Sequence, residues 1–86
     1  MDKEDNMLHI ESDPIVDAVY IQLTSEPIGY TEELDDNRLV DYSINPGKPV
    51  GVDLLAVSGG VKLNGLPEVE TVKKILNGLG VTVYTE

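Results

Sequence analysis

The chain has 86 residues, 16 acidic and 6 basic, giving a formal net charge of −10, and it contains no Cys, Phe or Trp. That length holds one domain, residues 1–86, which buries roughly two-thirds of the surface its unfolded chain exposes, so its core is thin. The missing Cys excludes thiol catalysis, thiolate metal sites and disulfides, and the charge argues against direct nucleic-acid or membrane binding, both of which need Lys and Arg.

The first six residues, Met1 to Asn6, are polar and acidic, with none of the apolar stretch a signal peptide would need behind them. No run of about 18 apolar residues reads as a membrane span, so a cytoplasmic location is the default. Met7 to Ser12 alternates, with Leu8 and Ile10 on one side and Met7, His9 and Glu11 on the other, the pattern of a half-buried strand. Asp13-Pro14 ends it with a carboxylate that can accept from the backbone two residues on and a ring that presets φ. Asp17 is expected to cap the amides of the same turn. Val19 to Leu23 repeats the alternation, with Val19, Ile21 and Leu23 inward. Thr24 to Pro27 reads as a turn, Ile28 to Leu34 as a third strand, and Asp35-Asp36-Asn37 as a tight turn. Arg38 to Ile44 is a fourth strand that sets Val40, Tyr42 and Ile44 against Leu39, Asp41 and Ser43. Beyond the turn Asn45 to Pro49, Val50 to Leu55 is a fifth, with Val50, Val52 and Leu54 on one face.

Composition then changes. Ala56 to Gly65, with Ser58-Gly59-Gly60 and Asn64-Gly65, reads as a flexible connection. Pro67 and the acidic residues Glu68 and Glu70 open a helix, whose apolar stripe is Val69, Val72, Ile75, Leu76 and Leu79. Gly78 or Gly80 ends it, and Val81 to Tyr84 is a last short strand. The predicted fold is α+β: a small antiparallel β-meander of about five strands with one C-terminal helix. The helix is too short to cover such a sheet completely, and the apolar surface left over predicts a homodimer.

Residues Asp13-Pro14-x-x-Asp17-Ala18-Val19-Tyr20-Ile21-Gln22-Leu23, then Glu32, then Val40-Asp41-Tyr42, then Gly51-Val52-Asp53-Leu54-Leu55-Ala56 form an ordered set. On it the chain, from about Leu8 to Val57, resembles the domain-of-unknown-function 2283 family (DUF2283) of small bacterial proteins. Two features depart from the family pattern: Asn45 to Pro49 is longer than the usual Asp-x-x-Gly, and Asp53 stands where Glu is common. The resemblance implies a small β-meander of unassigned activity. Some members look like the antitoxin-type partner of a small basic protein.

Chemistry is sparse. Asp41 and Asp53 share the polar side of the fourth and fifth strands, where paired carboxylates can divide acid and base roles or hold a hard cation. With Glu32 they make the alternative reading, a small enzyme or divalent-cation binder; a solvated polar face is the plainer account. Glu32, Glu33, Asp35 and Asp36 form the densest acidic run, without the Gly and distal Glu of an EF-hand, and suit electrostatic docking better than metal binding. His9, the one histidine, would need a nucleophile and an orienting carboxylate to act as a base; alternation sets it on the same exposed side as Glu11. Ser58-Gly59-Gly60-Val61-Lys62 lacks phosphate-loop spacing. No catalytic residue, cofactor or metal site is assigned. The sequence is best read as a dimeric module that uses acidic surface to hold a basic protein; a structural domain without a ligand is the remaining alternative.

Overall fold

A computed structural model describes residues 9–44 and 47–85. Five strands, β1 (His9–Asp13), β2 (Ala18–Gln22), β3 (Ile28–Asp35), β4 (Arg38–Ser43) and β5 (Pro49–Leu55), form one antiparallel sheet in the order β1-β2-β5-β4-β3. The β1–β2 hairpin and the β3-β4-β5 run are each sequential, as the alternation predicts. They join through β2 and β5 rather than β2 and β3. Leu23 to Pro27 therefore carries the chain past two strands, roughly 14 Å at the usual strand spacing. Leu23 donates its N–H to the Val50 carbonyl at 2.6 Å on the way.

Local chemistry sets the turns. Asp13 Oδ1 accepts from the Ile15 N–H at 3.1 Å, as expected for an Asp-Pro turn. Asp35 Oδ1 accepts from the Asn37 N–H at 3.0 Å and closes the β3–β4 turn. Asp17 departs from its expected part. It has a left-handed φ of 59°, and its carboxylate accepts from the backbone N–H and hydroxyl of Ser58, tying the first hairpin to a segment 41 residues on.

Alternation sorts the sheet into two faces. Val19, Ile21 and Leu23, with Val40, Val50, Val52 and Leu54, are buried on one side. Residues 56–65, read from sequence as a flexible connection, are packed instead. A 3₁₀ turn at Val57–Gly59 leads into β6 (Val61–Lys62), and Val57, Val61, Leu63 and Leu66 are buried against the sheet. Gly and Asn mark the bends here, while the buried apolar residues include only one alternating pair, Val61 and Leu63, too short a run to read as a strand. Helix α1 (Val69–Gly78) completes the cover with Val72 and Leu76, and β7 (Val83–Tyr84) pairs parallel with β6 as a separate two-stranded sheet. Gly80, with φ 79°, follows the helix in the left-handed conformation that favours glycine there. Arg38 bolts this cover down. Its Nη1 donates to the carbonyls of Lys62, at 3.0 Å, and Asn64, at 2.5 Å, while its Nε meets Asp35 at 2.9 Å.

The end of β4 breaks the expected alternation. A register shift between Asp41 and Tyr42 leaves Ser43 buried, 2% exposed, and Ile44 in solvent, 73% exposed. Ser43 then works as a polar residue: its Oγ accepts from Lys48 N–H, and its own N–H donates to the Lys48 carbonyl. Ile28 and Tyr30 lie on the same corner, each 52% exposed, and Tyr30 stacks on Tyr42 with ring centres 5.1 Å apart. Among the described residues, no helix is long and apolar enough to cross a membrane. Met7, Leu8, Asn45 and Pro46 lie outside them.

Candidate functional site

Among the described residues no element covers the second face of the sheet, and strand register sets out its side chains as a grid. One row runs Glu11, Tyr20, Asp53, Leu39, Glu33 from β1 to β3; the next runs His9, Gln22, Gly51, Asp41, Thr31. Ala18 and Leu55 lie opposite one another in a third, flanked by Asp13. Directly opposed residues share a face, so four carboxylates surround half-buried Tyr20 and Leu39.

Tyr20 organises the centre. Its hydroxyl donates to Asp41 Oδ2 at 2.9 Å, crossing β5 above Gly51. Any Cβ at position 51 would overlap the Tyr20 ring, which explains a glycine in a strand interior. Thr31 donates to the other oxygen, Oδ1, at 2.6 Å. Both oxygens of Asp41 thus have protein donors. Burial, the bond to Asp41 and the charges of Asp41, Asp53 and Glu11 push the Tyr20 hydroxyl up to about 12, so it stays a donor across the physiological range. Asp53 lies diagonal to Asp41, and its carboxyl is raised, first by burial and then by the Asp41 charge. At the rim, His9 Nε2 and Glu11 Oε2 lie 3.0 Å apart, both well exposed.

The acidic run between 32 and 36 is divided. Glu33 joins the open face opposite Leu39. Glu32, opposite buried Val40, points to the helix side, where burial and then the Glu32 carboxylate raise the Tyr42 hydroxyl. Asp35 is held below the usual carboxylate range, chiefly by the Asn37 amide and also by Arg38, and Asp36 is exposed in the turn. Glu32 therefore lies across the sheet from Asp41 and Asp53, and the three are not gathered. Among the described residues, no three His, Asp or Glu side chains stand as a metal site requires. A cleft of about 100 Å³ opens elsewhere, between Arg38, Asn37, Val61 and Lys62, at the seam of sheet and cover.

Sequence reasoning placed Asp41 and Leu39, and Asp53, Gly51 and Leu55, on the polar side, but gave Leu39, Gly51 and Leu55 no part in the site and passed over Tyr20 and Thr31. A signal existed in the parity of β2: if Val19 and Ile21 point inward, Tyr20 points outward. Its pairing with Asp41 was hidden, because it depends on β5 running between β2 and β4.

No match to the chain is found among curated proteins or among solved structures. The model of the family described as protein of unknown function (DUF2283) matches residues 9–58, more than half of the chain and the whole five-stranded sheet, so the chain belongs to DUF2283.

Proposed function

We propose that this protein is a binding module that holds a basic partner on the open face of its sheet. The observation that carries this reading is the grid of Glu11, Asp53, Asp41 and Glu33 around Tyr20 and Leu39, on a face left uncovered by the described residues. An apolar centre ringed by carboxylates suits a partner that brings apolar contact and Lys or Arg together. A small basic protein held by this acidic one, as in an antitoxin-type pairing, is the form it takes. The corner of Ile28, Tyr30 and Ile44 supplies contact for a second copy of the chain.

The test is retention from host extract at low salt, with an untagged copy of the chain co-expressed. Two triple variants share one net charge. Glu11→Gln/Glu33→Gln/Asp53→Asn neutralises the open face; Glu26→Gln/Glu68→Gln/Glu70→Gln neutralises carboxylates away from it. The wild type and the second variant should retain a basic protein that rising salt releases, because screening shortens the attraction to about 10 Å at 0.1 M. The first variant should lose it, and the untagged copy should be retained by all three. Equal loss in both variants would show that overall charge, not the face, does the binding.

A further inference from the structure

The two edges of the sheet are unlike. β3 is broken by register shifts at Ile28/Tyr30 and at Glu33/Asp35, and irregularities of that kind turn an edge away from foreign strands. β1 pairs with β2 without a shift along its whole length, contains no Pro and no Lys, and has all five residues exposed. Among the described residues nothing lies on its outer side. Its unpaired N–H and C=O groups form a ladder ready for another strand.

We propose that β1 is a strand-addition site and that its occupant is an extended basic segment of a partner protein. The charge pattern selects that occupant. His9, Glu11 and Asp13 all belong to the open face, while Ile10 and Ser12 face the cover side, opposite Ile21 and Val19. A segment that alternates Lys or Arg with apolar residues would set its cations against Glu11 and Asp13 and its apolar residues beside Ile10. A second copy fits worse. The register that pairs the whole of β1 antiparallel with itself sets Glu11 against Glu11, between chains that each carry −10. Acidic side chains here discourage sheet-to-sheet assembly and leave the edge open to a cationic strand.

This inference rests on the acidic-face reading and names the kind of partner segment that face receives. The probe is a short synthetic peptide alternating Lys with Val and Thr, beside an analogue with the same side chains and a fully N-methylated backbone. N-methylation keeps charge and extended shape but removes the donors a ladder needs. The unmodified peptide should bind at low salt and the analogue about tenfold or more weakly. Amide exchange should slow in β1 and remain unchanged in β3. Equal binding of both peptides would overturn strand addition and leave the acidic face standing. Binding by neither would overturn both. Protection of β3 in place of β1 would also overturn it, as would β1 protection in a self-associated chain without peptide.

Discussion

Asp53 lies beside Tyr20 and diagonal to Asp41, and burial and the Asp41 charge both raise its carboxyl above the ordinary value. A carboxyl with a higher pKa folded than unfolded holds its proton more tightly in the native state, so ionising it costs stability. In acid, where both states are protonated, the cost vanishes; it grows as pH rises through the carboxylate range and stays at neutrality. Asp35 has the opposite sign. Its lowered carboxyl stabilises the fold above the ordinary carboxylate value, a contribution lost as pH falls through the folded one. The two oppose each other in the whole protein, and a variant separates them. Asp53→Asn should raise the melting temperature at neutral pH, since it removes a partly buried charge and a like-charge neighbour worth about a few tenths of a kcal/mol, and change it little in acid. Thermal melts of both proteins from acid to neutral pH check this, and a variant that melts lower at neutrality contradicts it.

At the scale of elements, the cover of β6, α1 and β7 is held by apolar packing and by one cation. Arg38 is 9% exposed and spends two of its bonds on the Lys62 and Asn64 carbonyls. Arg38→Ala should cost about 2–3 kcal/mol, since it removes charge-assisted bonds and leaves both carbonyls without a donor. The loss should also be local: hydrogen exchange should quicken at Val61, Leu63 and Val72 more than at Val52. Uniform quickening would show that Arg38 supports the whole sheet. Arg38 also marks the limit of what local pattern encodes. The strands were legible because Val19, Ile21, Val50, Val52 and Leu54 obey the two-residue period of a sheet with one buried face. Val61 and Leu63 alternate as a strand does, but over too few residues to stand out among the Gly and Asn that hid a packed segment. Asp17 could be read as a turn residue, but its partner Ser58 is reached only through the fold.

The whole molecule divides its labour between two faces. One is apolar, and the residues after Ser58, which lie outside the family match, cover most of it. The other is acidic and open, and part of the candidate site was legible in advance as the polar side of alternating strands. Its centre was not, because Tyr20, Gly51 and Asp41 meet only where β5 separates β2 from β4. Net charge alone does not choose a face; the proposed choice rests on the placement of Glu11, Asp53, Asp41 and Glu33 around Leu39. The most direct test of that choice is methyl NMR of the labelled chain titrated with the basic protein it retains from host extract. Leu39 and Leu55 methyl signals should move, while those of Val72 and Leu76 under the helix stay in place. Shifts confined to Val72 and Leu76, with Leu39 and Leu55 unmoved, would contradict the account.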